Sequence, residues 1–366
     1  MDRAAHLSIQ KRPYRRHLVR RRMGLWALAA ACLAAVVVML GAFTRLENAG
    51  LGCPDWPGCY GFLHVPQSPH AIAIAETRFP DDPVLVDKGW PEMIHRYFAG
   101  TLGLVVFGLA FYGWRHRHEG VPVGHALAAA GMIVLQAAFG MWTVTLKLWP
   151  QVVSAHLLGG FTTVTLLGLL SLRLLGRRPS LSRGLEIRLA HLKPWVYTAL
   201  GVVIAQIALG AWTASNYAAI ACTQFPSCNG QWWPAMDVRQ GFDLLQTIGP
   251  NYLGGQMGSE ARVAIHMMHR LGALAVVLVV GSLLLRLWWM TRGTELARWV
   301  LLAAAVLTMQ IALGISNVVF HLPLAVAVAH NAMGAGLLLS MVNLGWRLQH
   351  CHGEQWLALH RREMAV

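Results

Sequence analysis

Long apolar stretches alternate with short polar segments along almost the whole chain. A helix that crosses a bilayer needs about 20 predominantly apolar residues, and the pattern predicts eight such helices. They run roughly over residues 23–43, 92–114, 123–145, 151–172, 195–216, 263–288, 299–319 and 324–346. The predicted fold class is therefore an all-α integral membrane protein.

Composition and charge support this class. Hydrophobic residues make up 56% of the chain and charged residues only 13%, whereas soluble domains carry about 25% charged residues. The formal net charge of +14 is concentrated before the first span and after spans 2, 4 and 6, while the opposite loops hold most of the acids. Cytoplasmic loops carry such an excess of Lys and Arg. The pattern predicts a multi-pass protein of the inner (plasma) membrane with both termini cytoplasmic, and it argues against a nucleic-acid partner.

The second half of the chain repeats the first. Residues 40–44 (LGAFT) match residues 209–213 (LGAWT), and further matches join His95-Arg96 to His269-Arg270 and His156 to His330. Each half has an even number of spans, so both insert with the same orientation. We expect two pseudo-symmetric four-helix bundles. The predicted order is a basic tail (1–22), an N-terminal bundle (23–175), a linker (176–193), a C-terminal bundle (194–347) and a second tail (348–366).

Four histidines lie at similar depth near the outer ends of the even-numbered spans: His95, His156, His269 and His330. Ionisable residues inside a bilayer are costly and usually functional. A single one is more often a packing residue, but four at matched positions favour a shared role. Two imidazoles on facing helices suit the axial positions of heme iron. Zinc or copper wants further ligands, which only His266 offers, in the second half.

Three charged residues accompany the histidines. Arg96 and Arg270 each follow a histidine directly, and each either pairs with a heme propionate or anchors the helix end by snorkelling. Glu92 lies three residues before His95, on the same helical face. A carboxylate near a helix start also has a simpler interpretation, as a first-turn or interfacial group.

The two long outer loops contain matched cysteine pairs, Cys53/Cys59 and Cys222/Cys228. The outer face of a bacterial membrane is oxidising, so we expect a disulfide bond within each loop. Such a bond is either a structural staple or a redox-active pair close to the heme.

These motifs together resemble the heme A synthase family. The resemblance rests on residues 44–57 (TRLENAGLGCPDWP), Glu92-x-x-His95-Arg96, residues 155–159 (AHLLG), His269-Arg270 and residues 329–331 (AHN). It covers nearly the whole chain. It implies that the protein oxidises the C8 methyl of heme O to a formyl group, which gives heme A for terminal oxidases.

The resemblance also implies roles for individual residues. His269 and His330 would bind a resident heme b, while His95, His156 and the catalytic Glu92 would face the substrate, heme O. Cys53 and Cys59 match the loop pair of the family. His266 occupies the place of Glu92 in the second half, which leaves the heme b ligand assignment open to a swap. The expected partners are membrane lipid, a heme O synthase, an electron-transfer partner and terminal oxidase assembly factors.

Other functions compete with this one. A diheme cytochrome b electron carrier would share the four histidines but leaves Glu92 and the cysteine loops unexplained. A quinone-linked disulfide oxidoreductase would use the cysteines but leaves the histidines unexplained. A transporter built from repeats is a third alternative.

Overall fold

The computed structural model describes residues 3–177 and 179–353. The part of the predicted C-terminal tail after residue 353 lies outside the described residues. In chain order the helices are α1 (Arg3–Leu46), α2 (Pro69–Arg78), α3 (Val86–Arg115), α4 (Val123–Thr145), α5 (Pro150–Leu175), α6 (Arg183–Ala190), α7 (Lys193–Ser215), α8 (Val238–Gly241), α9 (Ser259–Thr291), α10 (Ala297–Val319) and α11 (Leu324–Gln349). Two short strands, β1 (Ser180–Leu181) and β2 (His352–Gly353), pair in parallel.

Eight of these helices are long and apolar enough to cross a membrane: α1, α3, α4, α5, α7, α9, α10 and α11. The prediction of eight spans in an all-α membrane protein is confirmed. The pseudo-symmetry of the two bundles stays a prediction.

Three of the spanning helices begin earlier than the sequence predicts. The predicted basic tail is helical from Arg3, and α3 begins at Val86 rather than near residue 92 and contains Pro91. Likewise, α9 begins at Ser259 rather than near residue 263. The outer loop packs closely on the first turns of α3, because a Cβ on Gly52 would lie 2.3 Å from the carbonyl oxygen of Lys88. This packing supports the first turns of α3, which the proline would otherwise weaken because it has no backbone N–H.

The chain divides into two compact units. The first contains the residues up to Leu148 together with Ala155–Gly176. Within it, α3 packs on α1 and α4, and small residues on α1 such as Ala27 and Ala30 are fully buried. Small residues let membrane helices approach each other closely.

The second unit contains Trp149–Ser154 and the residues from Arg177 onward. Within it, α7 packs on α9 and α11, and α10 packs on the same two helices. Its core includes Leu287 of α9 and Met341 of α11, both fully buried. The helices α9 and α11, which both pack on α7 and α10, carry the two histidines of this half.

The outer loop of the first unit has a small core of its own. Cys53, Cys59, Tyr60 and Val65 are buried together with Met93 of α3. The loop is therefore a packed structure on the N-terminal end of α3 rather than a free connection.

Candidate active site

His95 on α3 and His156 on α5 face each other in the first unit. Their ring centroids are 6.5 Å apart and their planes are inclined by 86°. Metal–imidazole bonds measure about 2.0 Å, so two rings on opposite sides of one metal ion have centroids about 6 Å apart. Both side chains are half-buried, and the Nδ1 atom of each is buried without a hydrogen-bond partner among the described residues. This donor set fits a heme iron held between two imidazoles.

The second unit places His269 on α9 and His330 on α11, within electrostatic range of each other. Both rings approach a glutamine amide. Nε2 of Gln206 lies 3.1 Å from Nδ1 of His269, and Nε2 of Gln310 lies 3.4 Å from Nε2 of His330. His330 also has a buried Nδ1 without a partner in the described part of the chain. This pair therefore also offers imidazole nitrogens to a metal, but in a more polar setting than the first pair.

Each of the four rings also packs against a glycine on a neighbouring helix. A Cβ built on that glycine would lie 3.0 to 3.5 Å from the ring's Cε1 atom. The pairs are Gly41 with His95, Gly140 with His156, Gly210 with His269 and Gly314 with His330. These glycines are part of the sequence repeat, but from the sequence alone they are explained equally well as small residues that allow helices to pack closely. Their contact with the imidazoles is visible only in the structure.

Glu92 is 5% exposed and belongs to the interior of the first unit. Its Oε2 accepts a hydrogen bond of 3.0 Å from the backbone N–H of Cys53, and its Oε1 forms an ion pair of 2.6 Å with Nη2 of Arg96. It lies beyond the first turn of α3, so the simpler interpretation as a first-turn carboxylate is wrong. The carboxylate is directed to the cysteine loop, and it has no hydrogen bond to His95 within the described chain.

The two arginines anchor the cysteine loops. Nη1 of Arg96 donates to the carbonyl of Gly58, and Nη1 of Arg270 donates to the matched carbonyl of Ser227 at 3.0 Å. Nη2 of Arg270 donates to the carbonyl of Gln224 at 2.8 Å, where Arg96 instead meets Glu92. Sequence reasoning missed this role, because it depends on the fold of loops far away in the chain. A contact with a heme propionate stays a prediction.

His266 takes the place of Glu92 in the second unit. It is buried, and its Nδ1 donates to the carbonyl of Ala218 at 2.9 Å. Among the described residues, no group of three or more His, Cys, Asp or Glu side chains is arranged to hold a metal ion. The structure therefore gives His266 a backbone partner and does not support a zinc or copper site there.

Both cysteine loops are closed by disulfide bonds, Cys53–Cys59 and Cys222–Cys228. The loops share a backbone pattern in which the second cysteine pairs with the residue three positions later. The repeated loop sequences thus adopt the same local structure in both halves of the chain. The loops differ in that, within the described parts of the chain, the first binds a buried carboxylate and the second does not.

Comparison with known proteins identifies the family. Residues 24–342 match the family model COX15-CtaA, cytochrome oxidase assembly protein. The chain is 44% identical to the heme A synthase of Shewanella oneidensis, over 86% of this chain and 93% of that protein. It is 28% identical to the heme A synthase of Maricaulis maris, over 91% of this chain and 98% of that protein. The chain therefore belongs to the COX15-CtaA family of cytochrome oxidase assembly proteins.

Proposed function

We propose that this protein is a heme A synthase, which oxidises the C8 methyl of heme O to the formyl group of heme A. The observation that carries the proposal is the combination of one histidine pair in each unit with a carboxylate, Glu92, that is buried in the first unit and has no buried counterpart among the described residues of the second. The similarity to proteins named heme A synthase supports it.

The two units divide the work. His95 and His156 bind the substrate, heme O, while His269 and His330 bind a resident heme b. Oxidation of an unactivated methyl needs a redox group, which side chains do not provide and which the heme supplies. The residues of the chain therefore hold and orient the hemes and handle protons.

Glu92 is the residue that we assign to proton handling. Oxidation of the methyl group releases protons, and a positioned carboxylate accelerates such steps. Arg96 and the backbone N–H of Cys53 fix the two carboxylate oxygens. The disulfide loop thus positions the catalytic group, in addition to any redox role of its cysteines.

The cellular setting follows from the charge pattern. We place the protein in the inner membrane with both termini cytoplasmic, and the histidine pairs then lie towards the outer face. Residues 23–175 form the substrate half and residues 194–347 the resident-heme half. The proposed partners are a heme O synthase that supplies the substrate, an electron-transfer partner and assembly factors of terminal oxidases.

Pigment extraction from the purified protein tests the proposal. Heme b together with heme O or heme A is the expected result. Heme b alone would instead identify a cytochrome b electron carrier, and a protein without heme would point to disulfide chemistry at the cysteine loops. Either of these two outcomes would overturn the proposed function.

A further inference from the structure

A cavity of about 720 Å³ lies at the C-terminal end of α9, within the second unit. Its lining includes Arg188 of α6, His191 and a face of α9 with Ser282, Leu285, Arg286 and Trp289. Among the described residues, the lining contains two guanidinium groups and no carboxylate. Neither guanidinium has a hydrogen bond or an ion pair with another residue of the described chain. The cavity is therefore a basic site whose charge this part of the chain does not neutralise.

The helical face that lines the cavity points away from the core of the unit. Ser282, Leu285, Arg286 and Trp289 follow the spacing of one face of a helix, whereas Leu287 and its neighbours Leu283 and Leu284 are buried. Trp289 is 56% exposed, and Nη and Cζ of the Arg292 guanidinium lie over its ring, with Cζ 4.1 Å from the centroid. Tryptophan is enriched where membrane meets water, at the level of the lipid headgroups. The cavity thus opens to the membrane surface at that level.

An exposed apolar stripe continues from the cavity along α9. It consists of Leu285, Leu278, Leu274 and Leu271, all exposed and spaced so that they follow one side of the helix. Leu278 lies about 16 Å from Trp289 along the helix axis, which is about half of the hydrocarbon core of a bilayer. A lipid whose headgroup occupies the cavity could therefore lay its acyl chains on this stripe, whereas a free anion would not use it.

The matched place in the first unit is filled. The repeat puts Gly108 opposite Ser282, Tyr112 opposite Arg286 and Trp26 opposite Trp195. The Trp26 ring lies 5.9 Å from the Tyr112 ring, and a Cβ on Gly108 would lie 3.0 Å from Trp26. The second unit has a serine and a charged arginine where the first has a glycine and an aromatic ring, and its Trp195 is 57% exposed. The basic cavity is therefore a specific feature of the second unit.

We propose that this cavity binds the headgroup of an anionic phospholipid, with Arg188 and Arg286 on its phosphate and the acyl chains on the leucine stripe. Guanidinium groups match the geometry of phosphate oxygens, and basic pockets at the cytoplasmic ends of membrane helices suit anionic headgroups. Under the topology proposed above, this end of α9 is cytoplasmic. The proposal goes beyond the heme chemistry and does not rest on it.

Native mass spectrometry of the purified full-length protein in neutral detergent tests the proposal, with phosphatidylglycerol titrated against phosphatidylcholine of the same acyl chains. The parent should retain one phosphatidylglycerol in preference to phosphatidylcholine. The double variant Arg188→Gln/Arg286→Gln should lower the affinity for phosphatidylglycerol about 30-fold, the effect of two basic residues near a headgroup. Its affinity for phosphatidylcholine should stay the same. Arg115→Gln/Arg183→Gln removes the same charge outside the cavity lining and should bind as the parent does.

A parent without preference for phosphatidylglycerol would overturn the proposal, and so would a double variant with the parent's affinity. If the double variant fails to insert, the single variants decide, because each should lose about fivefold and parental affinity in both would overturn it equally. Release of the lipid by an excess of inorganic phosphate would replace the lipid site with a site for soluble anions. Heme content is measured separately: a parent without heme would remove the proposed function and leave this proposal intact.

Discussion

Each of the two units contains one pair of the predicted site histidines, but the residues around the rings differ. In the first unit, the carboxylate of Glu92 is buried between Arg96 and the cysteine loop. In the second unit, His266 binds a backbone carbonyl instead, and Gln206 donates to the backbone carbonyl of His269. Under the proposed function, the two units hold similar histidine pairs, while among the described residues a buried carboxylate for proton transfer is found beside the first pair alone. The difference lies in a few side chains next to the ligands, and the predictions below test it.

Removal of a histidine should have the largest effect. His269→Ala or His330→Ala should abolish the low-spin heme b spectrum, because the proposed heme b site would lose one of its two histidines. His95→Ala should retain most of that spectrum while it loses heme A formation. Difference spectra of the purified variants provide the measurement. Equal loss of heme b from substitutions in both units would refute the division of labour.

Glu92→Ala should lower heme A formation at least about 100-fold, the usual scale for loss of a proton-transferring group, and leave the heme b spectrum intact. Glu92→Gln keeps the shape of the side chain but cannot ionise. A loss as large as that of the Ala variant would indicate proton handling, and retained activity would indicate positioning.

The assay for the Glu92 variants is pigment analysis of membranes that also produce heme O. Glu47→Gln is the control, because Glu47 is a more exposed carboxylate of the same outer loop with a 3.9 Å ion pair to Lys88. Production of heme A at the parent rate by Glu92→Ala would remove the carboxylate from the mechanism.

The two disulfide loops should respond unequally. Cys53→Ser and Cys222→Ser should each destabilise the protein by about 2 kcal/mol, the value expected for a loop of this size. Only Cys53→Ser should also lower heme A formation, because the backbone N–H of Cys53 holds Glu92. Thermal unfolding and heme A yield measure the two effects. Equal activity losses from both variants would show that the loops act on stability alone.

The glycines that contact the rings should give smaller, site-specific effects. Gly210→Ala should alter the heme b spectrum, since its Cβ would press on the ring of His269 at 3.1 Å. Gly41→Ala should lower heme A formation and leave heme b unchanged, because it contacts His95. Gly100→Ala on α3 meets open space and serves as the control. The assignment fails if Gly41→Ala changes the heme b spectrum as Gly210→Ala does.

The smallest expected effect concerns Tyr60 in the first outer loop. Burial raises the pKa of Tyr60 to about 12 from an ordinary value of 10.0, and its hydroxyl donates to the carbonyl of Pro83. The stability contribution is therefore complete below pH 10 and is lost as the pH rises through about 12. The matched residue of the second loop is Asn229, which has no such group.

Tyr60→Phe should cost about 1 kcal/mol and should remove one late-titrating phenol from an ultraviolet absorbance titration. Persistence of the same late phase in the variant would show that another tyrosine produces it.

The sequence by itself determined the class of protein, the membrane-spanning segments and the side chains that are available for chemistry. Runs of apolar residues specify membrane helices because an unpaired backbone polar group in lipid is too costly, and this rule needs no tertiary information. The repeat and the matched histidines were equally visible, because they are properties of the order of residues. The family motifs then predicted the reaction.

Only the tertiary structure decided which neighbours these residues have. Glu92 and Cys53 are 39 positions apart, and Gln206 and His269 are 63 positions apart, so their contacts depend on how separate helices and loops pack. The same holds for the early start of α3. Residues next to a proline are usually not helical, but packing of the loop supports the helical turns around Pro91. Periodicity identifies the face of a helix on which a side chain lies. Which residue of another helix or loop contacts that side chain depends on the fold as a whole.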